Sequence, residues 1–212
     1  MARAAWPTTL KVGGDAVSMT GEATTNTTGN TYQVTNTAKR VLDWTQAITV
    51  KDGGTPVSPA SIDWLAGKVT LSAPPGGAVT IDGYYLPMQA VVEGKAFGIS
   101  GTLDVIDVSA FGAIDRTKIA GLREFSVTMD TFDDLMTDLG DYTWMDRLDG
   151  AVVLVEIDPA GLASASRMRF LTRLTKADVK GAVDGAVNSS LELTSTSATA
   201  ADGSLVSFTT GV

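Results

Sequence analysis

Polar and apolar residues alternate one for one along residues 122–132. Glu124, Ser126, Thr128 and Asp130 fall on one side, and Arg123, Phe125, Val127 and Met129 on the other. A period of two predicts a strand with one wet face and one covered face. The same alternation recurs where Glu192, Thr194 and Thr196 interleave with Leu191 and Leu193. Shorter runs predict strands at 32–35, 47–50, 78–84, 89–103, 102–108 and 151–157, and longer ones at 167–180 and 186–197. Residues 62–65 and 68–71, joined by Ala66-Gly67, predict a hairpin.

Only residues 133–149 change period. Leu135, Leu139, Tyr142, Met145 and Leu148 recur at three- and four-residue steps. That spacing predicts one helix, interrupted at Gly140 and ended by Gly150. At the front, residues 8–12 and 16–19 around Gly13-Gly14-Asp15 predict a small hairpin. Residues 21–30, GEATTNTTGN, have the composition of a mobile polar loop. The chain therefore divides into an N-terminal arm and polar loop (1–30), a small β-sandwich-like module (31–86) and a larger domain (87–212). The fold class is mainly β, a sandwich or barrel with one flanking α-helix.

Composition narrows the function. The 212 residues are 44% hydrophobic, enough to bury a core. The net charge of -8 argues against a protein that grips nucleic acid, although an acidic wall would leave DNA mobile. With no His and no Cys, triads of the Ser-His-Asp or Cys-His type cannot form, and the usual zinc ligands are missing. Gly94, Gly98 and Gly101 do not have dinucleotide-loop spacing and read as small residues that let a sheet face pack closely. The run of Asp130, Asp133, Asp134, Asp138, Asp141, Asp146 and Asp149 lacks the spacing of a calcium loop. Trp44 and Trp64 read as core residues rather than a sugar platform. The expectation is a protein that is not an enzyme, with no catalytic, cofactor or metal residue.

Several motifs then converge. Asp107-Val108-Ser109 is followed by Phe111-Gly112, then Ile119-Ala120-Gly121-Leu122, then Ser126-Val127-Thr128. This succession resembles the core signature of major tail tube proteins of long-tailed, siphovirus-like bacteriophages. The likeness covers residues 88–197 most fully. It extends to 31–87 through Tyr32-Gln33-Val34-Thr35, Lys39-Arg40-Val41 and residues 83–87.

The resemblance implies a structural virion protein that self-assembles into stacked hexameric rings, the tube through which the genome passes. Its implied partners are copies of itself, a tape-measure protein, and tail terminator and distal tail proteins, with DNA only in transit and no membrane. Its implied place is the virion tail, assembled in the host cytoplasm.

On this reading the loop 109–121 reaches a neighbouring subunit through Phe111, Ile114 and Ile119, rimmed by Asp115, Arg116 and Lys118. The face bearing Glu124, Ser126, Thr128, Asp130, Glu192 and Thr194 lines the lumen. Arg167, Arg169, Arg173 and Lys176 are expected to pair with acidic residues of a neighbour rather than with DNA. The rival reading is an adhesin of two β-sandwich modules that binds carbohydrate.

Overall fold

Short β-branched runs separated by Gly, Pro and Asp dictate short strands and tight turns. The computed structural model describes residues 9–90, 94–107, 118–131, 146–158, 167–181 and 187–210. Its strands are β1 (Thr9–Gly13), β2 (Val17–Thr28), β3 (Thr31–Val34), β4 (Thr49–Asp52), β5 (Thr55–Val57), β6 (Pro59–Asp63), β7 (Lys68–Leu71), β8 (Val79–Tyr85) and β9 (Met88–Ala90). They continue with β10 (Gly94–Asp107), β11 (Lys118–Thr131), β12 (Val152–Asp158), β13 (Met168–Gly181), β14 (Val187–Ser195), β15 (Ala198–Thr199), β16 (Leu205–Val206) and β17 (Phe208–Thr210). The fold is mainly β. Of the expected helix at 133–149, residues 133–145 lie outside the described residues. Its end, Asp146–Asp149, is a single 3-10 turn.

The chain forms two units. The first takes in Met1–Val92, Val152–Thr172 and Thr196–Val212, and the second Glu93–Ala151 and Arg173–Ser195.

In the first unit, seven strands follow the order β5-β4-β8-β2-β3-β7-β6. The polar stretch 21–30, expected as a loop, is mostly strand. β2 pairs with β8 through its first half and with β3 through its second. An extra residue between Met19 and Glu22, with Gly21 at a φ of 62°, bulges β2 within its pairing with β8. Its alternation was hidden because most of β2 is exposed, so threonine and asparagine serve on both faces.

The expected hairpin at 8–19 is not formed. β1 pairs instead with β12 and β9. The hairpin of β6 and β7 is as expected, with Gly67 at a φ of 64° closing the turn.

The core of this unit gathers Val34, Leu42, Trp44, Val50, Trp64, Leu65, Val69 and Ile81 with Leu154, Leu171 and Val206. The chain's last strands thus complete the core begun by its first. Trp44 and Trp64 are buried in it.

In the second unit, β10, β11, β14 and the later part of β13 lie side by side. Val127, Met129, Leu174, Leu191 and Leu193 are buried.

Candidate functional site

The alternation of β11 and β14 sets out a polar face. Val127 faces Leu193 and Met129 faces Leu191 across the pair, all four buried. The residues between them therefore point to the other side. There Ser126 faces Thr194, Thr128 faces Glu192 and Asp130 faces Ser190. On β10, Thr102 faces Glu124, Ser100 faces Ser126 and Gly98 faces Thr128. Thr175 of β13 donates its hydroxyl to the Glu192 carbonyl at 3.1 Å and lies 3.4 Å from the Thr194 hydroxyl. All six residues expected on one face (Glu124, Ser126, Thr128, Asp130, Glu192 and Thr194) are brought together there.

The spacing of charge matters as much as its sign. Glu124 is opposite Thr102, Asp130 opposite Ser190, and Glu192 opposite Thr128. No two of these carboxylates face one another directly, so the face avoids the like-charge penalty of a direct cross-strand pair. It presents hydroxyls, which hold water, and separated carboxylates, which repel phosphate. The small residues of β10 serve this packing. A Cβ on Gly98 would come 2.9 Å from the Thr128 hydroxyl, and one on Gly101 3.1 Å from the Phe125 ring.

Beyond this face, β10 and β11 run on as a pair. β14 covers β11 only over residues 126–131, and the Phe125 amide donates to the Ser195 hydroxyl at 2.9 Å. Residues 118–124 pair with β10 and with no third strand among the described residues. This corrects the expected loop at 109–121. Lys118 and Ile119 belong to β11, where they face Asp107 and Ile106. The reason is Ala120-Gly121-Leu122. From Leu103–Arg123 to Val105–Ala120 the register shifts by one, so the glycine sits in a bulge rather than ending the strand. Phe111, Ile114, Asp115 and Arg116 lie outside the described residues.

Of the basic residues expected to reach a neighbour, Arg169, Arg173 and Lys176 have partners in their own chain. Arg169, 3% exposed, bonds through Nε to Glu156 at 2.7 Å and through Nη1 to the Leu65 carbonyl at 2.5 Å. Glu156, 1% exposed, also takes Lys11 at 2.7 Å on its other oxygen. Lys11 and Glu156 are directly opposed in the β1–β12 pair. Burial alone pushes the Glu156 carboxyl up. The Lys11 bond and the Arg169 charge outweigh it and leave the group below its ordinary value. Arg173 donates to the Gly150 carbonyl at 2.5 Å, and Lys176 pairs with Asp178 at 2.7 Å.

Sequence reasoning missed this ion chain. The signal was one charge inside the apolar run Val152-Val153-Leu154-Val155-Glu156-Ile157.

The first unit also holds a hollow of about 340 Å³ lined by Ala47, Ile48, Pro59, Ile62, Trp64 and Asp202. Trp64 is 3% exposed and its indole nitrogen donates to the Ser204 hydroxyl at 3.2 Å. It offers no ring face on which a sugar could stack.

No family model matches the chain, and no curated protein matches it. Among solved structures it is similar to a chain in the tail of an empty gene transfer agent particle, obtained by helical refinement with C6 symmetry. The identity is 18% over 57% of this chain and 86% of that one, with a TM-score of 0.45. It is also similar to a chain in the virion of a native gene transfer agent particle, at 20% identity over 57% of this chain and 88% of that one, with a TM-score of 0.42.

Proposed function

We propose that this chain is a non-catalytic building block of a phage-type tail tube, which self-associates into stacked hexameric rings. The observation that carries the reading is the second unit's sheet. Its polar face is a continuous row of hydroxyls and carboxylates. It ends at β10, an edge strand of 14 residues among the described residues. A long unpaired edge is a template for another chain. The outer stretch of β10 and β11 adds a two-stranded ribbon carrying Leu103, Val105, Ile106, Ile119 and Leu122 in its sequence. Such a ribbon is marginal in water without further partners. Copies of the chain arranged in a closing rotation remove the edge and give the ribbon a partner.

The tail tube signature in the sequence, carried by the same two strands, supports the same reading. In the ring, Glu124, Asp130 and Glu192 face the lumen, where a net negative wall lets DNA slide past. A tape-measure protein fills the lumen during assembly, and terminator and distal tail proteins close the ends. The rings belong to the virion and assemble in the host cytoplasm.

Negative-stain electron microscopy of the concentrated protein tests this. Rings or hollow tubes of constant diameter are expected. A monomer that stays single at high concentration, even with preformed tube ends added as seeds, would sink the reading.

A further inference from the structure

The four strands β10-β11-β14-β13 have an open edge on each side. β10 is the first. The second is β13, over its later part only. On the side away from β14, β13 is covered by β12. Glu156 of β12 meets Arg169, and the Val153 carbonyl accepts from the Thr172 hydroxyl at 3.0 Å. Just ahead of β12, the Gly150 carbonyl accepts from Arg173. β12 begins at Val152, so its cover runs out at Arg173. Residues 174–181 of β13 then have β14 on one side and no strand on the other among the described residues.

The two edges agree in length, direction and face. The register of β10 on β11 is unbroken over residues 96–103, eight residues between two irregularities. The open part of β13, 174–181, is also eight residues. β10 and β11 are antiparallel, as are β11 and β14, so β10 and β14 run the same way. Only residues 182–186 join β13 to β14, too few for a parallel crossover, so β13 runs the other way. Rotation about a ring axis preserves strand direction along it. The β10 edge of one copy therefore meets the β13 edge of the next antiparallel. Ser100 and Thr102 lie on the polar face, opposite Ser126 and Glu124, and Thr175 lies there through its contact with Thr194. A pairing that keeps Thr102 and Thr175 on one side carries the polar face across the junction, and a slip by one residue would turn it over.

We infer that residues 96–103 of one copy pair with residues 174–181 of the next, joining copies head to tail through opposite edges of the same four strands. The inference rests on the self-association proposed above and names the strand that fills the β10 edge. Ile99 is 42% exposed, while Val127 directly opposite it is fully buried. The apolar layer thus stops at this edge, where one more strand would extend it. Pairing β10 with β10 would leave the β13 edge open and end at a dimer, whereas opposite edges leave none when the rotation closes.

The chain has no cysteine, so engineered ones report the junction alone. Ser100→Cys and Thr102→Cys are each combined with Thr175→Cys and with Ala177→Cys in the full chain. Within one chain β10 and β13 are three strand spacings apart, roughly 14 Å, too far for a disulfide. Under mild oxidation at least one double variant is expected to give a ladder of linked chains on a non-reducing gel, while each single variant stays unlinked. Ser100→Cys with Lys176→Cys, whose second position alternates to the other face, is expected to give none. Circular dichroism checks that each variant is folded. Rings seen by microscopy with no ladder in any double variant would overturn the strand assignment and leave the proposed function standing. A dimer from Ser100→Cys alone would overturn it in favour of β10 pairing with itself. A ladder without closed rings upholds the junction and sinks the ring. Neither rings nor a ladder overturns both.

Discussion

The two units treat their sheet edges in opposite ways. The seven-stranded path of the first unit ends in β5 and β6, which are three and five residues long and carry Pro56 and Pro59. Proline donates no amide hydrogen bond, and short edges offer little to pair with. The second unit ends in β10, fourteen residues long and without proline. The first unit also buries a full core and an ion chain, while the buried residues described in the second form one apolar layer. The lesson is a division of labour. One unit ends in short, proline-bearing edges, and the other in a long edge strand that, under the proposed function, copies of the chain would cover.

Four substitutions test that contrast. Trp64→Ala removes a large side chain from the finished core. It is expected to destabilise the first unit by about 4 kcal/mol, read from urea unfolding. A cost under about 1 kcal/mol would mean that the core is not closed.

Glu156→Gln leaves Lys11 and Arg169 without their anion and is expected to cost about 3 kcal/mol at neutral pH. The sign with pH is fixed. The folded carboxyl titrates below its unfolded value, so its stabilisation is fully present above about pH 4.3. It is lost as pH falls through the folded value. Wild type and variant stability should therefore converge in acid, and parallel curves would refute the ion chain's role.

Gly67→Ala puts a Cβ at a positive φ and against the Arg40 backbone, at an expected cost of about 2 kcal/mol. A shift in melting temperature checks it.

Ile99→Lys acts at the unfinished edge. Ile99 is 42% exposed on β10, so stability should change by less than about 0.5 kcal/mol. Ring formation should nevertheless be lost, because a charged edge strand resists pairing. Normal rings from this variant would remove β10 from the interface.

Legibility in the sequence followed the same divide. β11 and β14 could be read because each covers one face and wets the other, so their period is local information. Trp44 and Trp64 were readable as core because isolated large aromatics in a small β module are usually buried. β2 was not, since a bulged strand exposed along most of its length has no reason to alternate. Arg169 was misassigned because its partner Glu156 comes from another strand, and strand pairing is set by the whole fold. Gly121 misled in a different way. Glycine serves loops and bulges alike, and only the register with Leu103 and Val105 decides between them.

The closing of the first unit by residues 196–210 sets an order in time. Val206 joins the core with Trp44 and Trp64, the Ala201 amide bonds the Trp44 carbonyl, and β17 pairs with β13. On a ribosome working at about 5–20 residues per second, the first ninety or so residues wait on the order of ten seconds for these partners. Over that interval β10 and its ribbon are already made, yet the chain is still tethered apart from its siblings. If β10 pairs between copies as proposed, that edge is made well before the first unit can be sealed.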